Sequence, residues 1–592
     1  MTEPRGPIPR RRWEWMALPA IAGAASALLT WNRWIRPFVD GSRELQVPAR
    51  LADGERLYRD VAYYYGPAAP WVNAAGIELF GRHFAVLEAM AALAAAVLLF
   101  ALYRLARRAG SPLSAGVAAT VAAAICVGAP NGGAFLFPYA FAALFALAGG
   151  FVSLAAFSGP PSPGRSVLGG LALAFSLLAK AEIGVAAAAV VLVACWRSAE
   201  PGVGRRRTAA AVLAAGLLAL AGYAFAFRGI PWDSLATEGP LVLFSPPPEW
   251  RQVYRLVSGL DDPSGALSRL GTALFLDAII LAAAWIVARA GGRAERPGAA
   301  ELLWWAALAA AVIFVATRRG AEIENRLPPL LSPAPLLAAL AALALLRSPL
   351  GERDDTRRAR WLLFGFSALA AVRVAGHVAY GFVTTPYAIL ALPGLAASAS
   401  VLLLDVLAPK LAPKHAAERG PAAFRRAMAA ALLALAAAGL VRLDRIRRAV
   451  PVVTVETGAG ALRLPEPWGA STKLVLGFLA ERSRPGDTLA CFPECGFFDF
   501  VTGLRNPLRQ EQILPGHLDA RAEAAVARRI REAGPRFVIL VDYAPPGWAA
   551  ARFGVDYARE IARAISERYA PAGAARTPDG ASLIRVLERR SV

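Results

Sequence analysis

Runs of apolar residues alternate with short polar connections along most of the 592-residue chain. Many of these runs hold about 17 to 25 residues, which is the length that a helix needs to cross a bilayer. A hydropathy reading places about thirteen spans near residues 14–33, 84–104, 113–129, 134–157, 167–180, 183–197, 208–228, 267–288, 301–317, 328–346, 361–380, 386–408 and 424–441. The pattern predicts a polytopic α-helical membrane protein with a membrane domain over residues 1–445.

The charges of the connections indicate which side of the membrane each one faces. If the N-terminus is cytoplasmic, the inner connections include the basic segments YRLARRAG and RSAEPGVGRRR, whereas the outer connections APNGG and YGFVTTP carry no Arg or Lys. This distribution follows the positive-inside rule, although the outer segment TRRGAEIENR departs from it. The first run is flanked by tryptophans and indicates an uncleaved first span. An odd number of spans then places the C-terminal region outside the cytoplasm.

The pattern changes after residue 445. STKLVLGFLAERSRPGDTLACF is typical of a helix, a turn and a strand, and ARAEAAVARRIREAGPRFVILVDY repeats that order. A further helix and a final strand in ASLIRVLER follow. Amphipathic helices that alternate with short apolar strands predict a small α/β domain over residues 446–592. The turns after its strands contain no G-x-G-x-x-G motif, so a nucleotide fingerprint is absent.

Composition narrows the functional classes further. The chain is 57% hydrophobic with a net charge of +21, and only four of its 64 basic residues are lysines. Much of the charge lies in short loops, where the positive-inside rule explains it, and no nucleic-acid-binding motif is present. Four scattered histidines make no ligand cluster, so we expect no metal and no cofactor. Cys491 and Cys495 are close enough in sequence to form a disulfide outside the cell.

Two of the predicted outer loops are long, at residues 34–83 and 228–265. In the first loop, RELQVPARLADGE and PAAPWVNAAGIELFG have helical spacing with one apolar face, which predicts amphipathic helices along the membrane surface. Asp40 opens this loop directly after the first span. A carboxylate at that depth is partly desolvated, which raises its pKa toward the range of a general base. A solvated aspartate at the helix end, or an N-cap aspartate before the helix, is the alternative.

The segment VDGSRELQVPARLADGERLYRDVAYYYGPAAPWVNAAGIELFG resembles the first outer loop of the GT-C superfamily of polyprenyl-phosphate-sugar glycosyltransferases. It is most similar to the branch of protein O-mannosyltransferases and lipid A aminoarabinose transferases. The features that match in order are Asp40, Gly54-Glu55, Tyr58, Asp60 and Gly66-Pro67. Many relatives have two adjacent acids where this chain has DGSRE, which leaves open whether Glu44 takes the place of the second acid.

The resemblance implies a GT-C-like fold with about thirteen transmembrane helices and an extracytoplasmic α/β domain. It also implies that Asp40 deprotonates the acceptor hydroxyl and that the anomeric centre inverts. Asp60 is the second catalytic candidate, and a bond to Arg59 or to the backbone is its structural alternative. Tyr58 and Tyr65 are expected to contact substrate, as are Glu44 and Glu182.

Two basic residues are candidates for binding the phosphate of the donor. Lys180 lies in LLAKAEIG, where a lone lysine in an apolar region needs a partner or a function. Its alternatives are a pair with Glu182 or a side chain that reaches to the interface, and a K-x-E at this place is also found in GT-C relatives. Arg326 lies in the outer basic segment, where bidentate phosphate contacts would explain the charge. Salt bridges with nearby glutamates explain that charge equally simply.

We therefore expect a glycosyltransferase in the inner (plasma) membrane that moves a sugar from a polyprenyl-phosphate donor to a glycan, lipid or protein acceptor at the outer face. A transporter or lipid-carrier flippase is the alternative. Transporters often contain internal repeats that meet at mid-membrane, whereas this chain shows no repeat and its acids gather at the outer edge. A third possibility is an assembly factor with a degenerate active site.

Overall fold

The computed structural model describes residues 14–33, 35–38, 40–129, 134–197, 202–258, 260–291, 299–317, 333–347, 355–372, 391–411, 420–542, 552–576 and 583–590. Helices make up the first and larger part of the chain. They are α1 Glu14–Thr30, α2 Gly41–Ala52, α3 Ala68–Phe80, α4 Phe84–Ala109, α5 Pro112–Cys126, α6 Phe141–Phe157, α7 Pro163–Ala179, α8 Ala181–Trp196, α9 Val203–Ala226, α10 Trp232–Glu238, α11 Pro248–Ser258, α12 Pro263–Gly291, α13 Ala299–Thr317, α14 Ala334–Leu345, α15 Asp355–Ala371, α16 Leu392–Val401 and α17 Gly420–Ala449. A wider helical turn, Leu402–Leu407, continues α16 into Ala408–Leu411.

Each predicted span overlaps one of these helices. Within the described ranges, five helices are long and apolar enough to cross a membrane, and further apolar helices of 10–17 residues accompany them. The number of spans stays a prediction. The fourth span was predicted from residue 134, but α6 begins only at Phe141. Pro138 precedes that start and has no amide hydrogen to donate to a helix, and the amide of Phe141 bonds the Glu44 carboxylate.

Helices α6 and α7 pack closely because small residues lie at their interface. A Cβ atom on Gly149 of α6 would stand 2.7 Å from the carbonyl oxygen of Ala172 in α7. Ser176 Oγ of α7 also donates a hydrogen bond of 2.8 Å to the carbonyl of Ala146 in α6. The two helices are antiparallel, so the start of α6 lies beside the end of α7, where Lys180 follows.

The C-terminal part forms a small α/β domain. Its elements are the antiparallel hairpin β1 Val452–Thr457 and β2 Gly460–Pro465, then α18 Glu466–Arg482, β3 Leu489–Phe492, α19 Phe497–Thr502, α20 Ala520–Ala533, β4 Phe537–Val541, α21 Arg559–Arg568, β5 Tyr569–Arg576 and β6 Leu583–Arg589. The four-stranded sheet has the order β3-β4-β6-β5. Strand β3 is parallel to β4, and β6 is antiparallel to β4 and β5. All residues of β3 are buried, as expected for a strand that is covered on both faces.

Helix α2 lies between the helical part and the C-terminal domain. The sequence predicts one apolar face for α2, but residues 41–50 are all buried. The domain covers the polar face, and a Cβ atom on Gly496 would stand only 3.2 Å from Cβ of Gln46. Aromatic contacts extend this interface, with ring centroids 4.7 Å apart for Phe38 and Trp468 and 5.5 Å apart for Phe84 and Phe500. The predicted helix is therefore confirmed for α2 and its polar face is covered by the C-terminal domain, while its position along the membrane surface stays a prediction.

Candidate functional site

Asp40 stands at the N-terminus of α2, but its side chain does not cap the helix. The backbone of Asp40 is already helical, and its carboxylate accepts no cap hydrogen bond. Oδ1 instead accepts a hydrogen bond of 3.1 Å from Nη1 of Arg43. The side chain keeps 22% of its surface exposed. The side chain therefore does not act as an N-cap, and Asp40 is a partly exposed aspartate at the helix end, whose role as a base stays a prediction.

Arg43 connects Asp40 with three other parts of the chain. Its guanidinium is buried and donates to Oε1 of Glu44 at 3.1 Å, to Oε1 of Gln512 at 2.9 Å and to the carbonyl of Tyr139 at 3.0 Å. Arginine carries donors in a fixed planar fork, so these contacts fix its position. Asp40 is thus held by an ion pair whose cation is itself immobilised.

Glu44 anchors the start of α6. Its Oε2 accepts a hydrogen bond of 2.9 Å from the backbone amide of Phe141, and its Oε1 bonds Arg43. A helix N-terminus has amides without helical partners and favours negative charge. Burial raises the pKa of Glu44, while Arg43 and the Phe141 amide oppose that rise. Both oxygens bond protein donors, so the arrangement favours a structural role over that of a second acid or substrate ligand.

Lys180 joins α7 to α8 in an extended backbone conformation. Its side chain is only 5% exposed, and Nζ lies 3.4 Å from Oε1 of Glu182. Nζ also lies 4.3 Å from the ring centroid of Tyr65, a cation–π distance. The same ring lies 5.4 Å from the guanidinium carbon of Arg43. Tyr65 therefore places Lys180 and the Asp40–Arg43 pair in one site.

Tyr58 contacts the backbone of Tyr65 and holds it in place. It adopts a positive φ of 65°, which is uncommon for a bulky residue. Its hydroxyl donates a hydrogen bond of 2.6 Å to the carbonyl of Tyr65, and its own carbonyl accepts one of 2.9 Å from Nη2 of Arg509. The ring is buried and packs edge-on against Phe227 at 5.3 Å. Tyr58 therefore fixes the backbone of Tyr65, and the predicted substrate contact stays a prediction.

Asp60 is bound by its own loop. Arg59 donates to both carboxylate oxygens at 3.0 and 2.9 Å, and the amide of Arg56 donates to Oδ2 at 2.8 Å. The hydrogen bonds from Arg59 hold the pKa of Asp60 below its ordinary value. A carboxylate with a lowered pKa is a weaker general base. The structural alternative is thus favoured for Asp60. Arg326 lies outside the described residues.

Asp60 lines a polar cavity of about 860 Å³. Its walls come from the first loop, Arg82, Glu238, residues 503–510 and one face of α20, and they include neither Asp40 nor Lys180. Arg50 of α2 also lines this cavity. Arg50 bonds Glu55 at 2.6 Å, the carbonyl of Leu508 at 2.8 Å and the buried Glu511. These contacts attach α2 to the C-terminal domain.

The C-terminal domain brings two further polar residues, Glu494 and Gln512, to the Asp40 site, and the sequence pattern did not predict them. Cys491 and Cys495 form a disulfide, and Glu494 lies in the turn that it closes. Gln512 donates from Nε2 to Oε2 of Glu494 at 2.9 Å and accepts from Arg43. Burial, and next the negative charge of Asp40, raise the pKa of Glu494 well above its ordinary value. An acid enclosed in the apolar segment LACFPECGFF is the signal that could have identified it.

The second long loop closes another side of the domain interface. The Tyr64 hydroxyl and Nδ1 of His517 share a hydrogen bond of 2.9 Å. Trp250 of α11 packs edge-on against Tyr64 and at a tilt against His517, and it donates from Nε1 to the carbonyl of Pro515 at 3.2 Å. Burial lowers the pKa of His517 to about 3, so its ring is neutral. The contact is therefore a neutral aromatic cluster that joins both loops to the domain.

Comparison with known proteins gives remote structural similarity. No known family model and no curated protein matches the chain. The Archaeoglobus fulgidus oligosaccharyltransferase with a tethered acceptor peptide is 13% identical with a TM-score of 0.46, over 95% of this chain and 72% of that chain. ArnT from Cupriavidus metallidurans is 15% identical with a TM-score of 0.42, over 97% of both chains. Arabinofuranosyltransferase AftD from Mycobacteria is 15% identical with a TM-score of 0.41, over 99% of this chain and 40% of that chain.

All three belong to the GT-C superfamily. The identities lie between 13% and 15% and the TM-scores between 0.41 and 0.46, so the similarity is remote. It does not extend to individual site residues or to a particular donor or acceptor.

Proposed function

We propose that the protein is a membrane glycosyltransferase that moves a sugar from a polyprenyl-phosphate-linked donor to a hydroxyl group at the outer face of the membrane. The observation that carries the proposal is the position of the Tyr65 ring, whose centroid lies 4.3 Å from Nζ of the buried Lys180 and 5.4 Å from the guanidinium carbon of Arg43, the ion-pair partner of Asp40. An accessible carboxylate and a cation next to one another are the groups that transfer from a phosphate requires.

Asp40 accepts the proton of the acceptor hydroxyl in this reaction. The acceptor oxygen then forms a bond to the anomeric carbon, while the bond between that carbon and the phosphate oxygen breaks. The lipid phosphate leaves with the electron pair, and a single displacement inverts the anomeric centre. Arg43 donates a hydrogen bond of 3.1 Å to Oδ1 of Asp40 and so holds the carboxylate in position for this step.

Lys180 is the proposed partner of the leaving phosphate. Its ammonium group stabilises the negative charge that develops on the phosphate oxygen as the bond breaks. Its present partner Glu182 is 44% exposed at a distance of 3.4 Å, which is a weak pair that a phosphate can replace. The backbone around Lys180 is fixed by the packing of α7 on α6. The lysine therefore stays near the Tyr65 ring when the donor binds.

A transfer assay with the purified protein tests this function. The protein is reconstituted in vesicles with a polyprenyl-phosphate sugar on the outer leaflet and a mixture of glycan, lipid and peptide acceptors. Free polyprenyl phosphate should appear in the same amount as glycosylated acceptor, identified by mass spectrometry. Movement of labelled donor between leaflets without any glycosylated product would support the transporter alternative and reject the transferase.

A further inference from the structure

Glu494 occupies a rigid position in the C-terminal domain. It directly follows β3 in a turn whose ends are joined by the Cys491–Cys495 disulfide, with 5.2 Å between the Cα atoms. The carbonyl of Pro493 accepts a hydrogen bond of 2.8 Å from the amide of Ile513, which fixes the turn to the neighbouring segment. Glu494 itself is 2% exposed. Its carboxyl group is therefore held in place without depending on the flexibility of an open loop.

The hydrogen bonds around Glu494 have a defined direction. Arg43 can only donate, so the atom of Gln512 that it contacts at 2.9 Å is the amide oxygen. The amide nitrogen of Gln512 then points at Oε2 of Glu494, where it donates at 2.9 Å. Oε2 is an acceptor in this chain of bonds. Among the described residues, the buried Oε1 of Glu494 has no hydrogen-bond partner.

The charges near Glu494 favour its neutral form. Glu494 interacts electrostatically with five ionisable groups: Asp40, Arg43, Glu44, Tyr64 and Tyr557. Arg43 is the cation among them, and it bonds the carboxylates of Asp40 and Glu44 directly. A negative charge on the buried Glu494 would have no ion pair of its own, and such a charge is costly. Because Oε2 accepts from Gln512, the proton resides on Oε1.

We propose that Glu494 is a substrate-binding residue of the Asp40 site, and that its Oε1–H group donates a hydrogen bond to an oxygen atom of a bound sugar. This inference rests on the proposed transferase function and adds a residue from the C-terminal domain to the site. A buried hydroxyl donor without a partner costs free energy. A sugar oxygen at this position would satisfy it, and sugars offer such oxygens on both the donor and a glycan acceptor.

A purely structural role for Glu494 makes different predictions. If the residue only held the domain in place, its replacement would change thermal stability and leave both Michaelis constants unaltered. A binding role changes the Michaelis constant of the substrate whose oxygen it contacts. Measuring the constant of each substrate at saturating concentration of the other therefore shows whether the donor sugar or the acceptor is bound.

The test compares Glu494→Ala, Glu494→Gln and the control Asp499→Asn in the wild-type transfer assay. Glu494→Ala should raise one Michaelis constant about tenfold, the effect of losing a hydrogen bond in a buried site. Glu494→Gln keeps the shape and a donor group, so its constants should stay within about threefold of wild type. Asp499 is an equally buried acid of the same domain and its replacement should change neither constant.

The pH profile gives a second readout. Wild-type transfer should fall as the pH rises and Glu494 loses its proton, because a carboxylate cannot donate and adds a charge beside Asp40. Glu494→Gln should lack this decline. Unchanged Michaelis constants in Glu494→Ala, or the same decline in Glu494→Gln, would overturn the role of Glu494 while wild-type transfer still supported the enzyme. Absence of transfer by the wild type would reject the proposed function and this role together.

Discussion

Nη1 of Arg43 lies 3.1 Å from Oδ1 of Asp40, one helical turn back along α2. The same nitrogen lies 2.9 Å from Oε1 of Gln512, which is 469 positions away in the sequence. The proposed base and the C-terminal domain are therefore connected through a single guanidinium group. Docking of the domain and the orientation of Asp40 cannot change independently of each other.

The first prediction concerns the base. Asp40→Asn keeps the size and polarity of the side chain, and its amide oxygen can still accept from Arg43, but it cannot take up the acceptor proton. Transfer should fall about a hundredfold or more, whereas the binding of donor should persist. Turnover is measured with purified variants in detergent. Asp60→Asn serves as a control in the same loop and should retain most activity. If Asp60→Asn lost most of its turnover while Asp40→Asn kept normal turnover, Asp60 would be the base and Asp40 would not.

The second prediction concerns donor binding. Lys180→Ala removes the ammonium group from the Tyr65 ring and should raise the Michaelis constant for the donor at least about tenfold, because a charge-assisted phosphate contact is lost. Lys180→Arg should restore part of the affinity. Glu182→Gln removes the partner of the lysine but keeps its charge, so it should weaken donor binding little. If the Michaelis constant for the donor were unchanged in Lys180→Ala, the lysine would have a structural role and no role in donor binding.

Much of the fold was predictable because bilayer length and apolar composition dominate its local structure. Every predicted span overlaps a helix, and the predicted helices and strands of the C-terminal domain correspond to α18, β3, α20, β4, α21 and β6, whereas α19 and β5 were not predicted. The hairpin of β1 and β2 was not predicted, since two short strands give a weak periodic signal. The burial of α2 was missed for another reason. Its polar face contacts residues of the C-terminal domain that lie more than 400 positions later in the sequence. The sequence of α2 alone does not indicate that contact.

The candidate site was only partly predictable for the same reason. Asp40, Tyr65 and Lys180 lie near predicted helix ends, where the topology brings them to one side. The role of Glu44 depends on the start of α6, which the hydropathy pattern placed too early. Glu494 and Gln512 reach the site through tertiary contacts of the C-terminal domain. Local patterns report the environment of a residue within its own element, and they do not report which distant element covers it.

The third prediction concerns Arg43 as a structural hub. Arg43→Ala leaves the buried carboxylate of Glu44 without its ion-pair partner, and breaking such a pair costs about 3–5 kcal/mol. The melting midpoint in detergent should drop accordingly, and transfer should be lost. Arg43→Lys keeps the charge but cannot supply the fork of donors, so its midpoint should lie between the two. Arg521→Ala, at an exposed arginine of α20, is the matched control and should melt like the wild type. An unaltered melting midpoint in Arg43→Ala would contradict the conclusion that the contacts of Arg43 stabilise the fold.

The last prediction concerns the pH dependence of stability. Burial, and then the negative charge of Glu511, raise the pKa of Asp499 well above its ordinary value, although Arg50 opposes the rise. An aspartate in the unfolded chain titrates near about 4. Between these two pKa values, unfolding releases a proton, so the stability that is present at low pH is lost as the pH rises.

Asp499→Asn cannot release that proton. Its melting midpoint relative to the wild type should therefore increase from pH 5 to pH 8, measured by the loss of monomeric protein on heating in detergent. Glu481→Gln, at an exposed carboxyl of α18, should follow the wild type at both pH values. A midpoint difference for Asp499→Asn that stays constant with pH would mean that Asp499 is ionised in the folded protein, and Arg50 would then have to neutralise Asp499 in addition to Glu55 and Glu511.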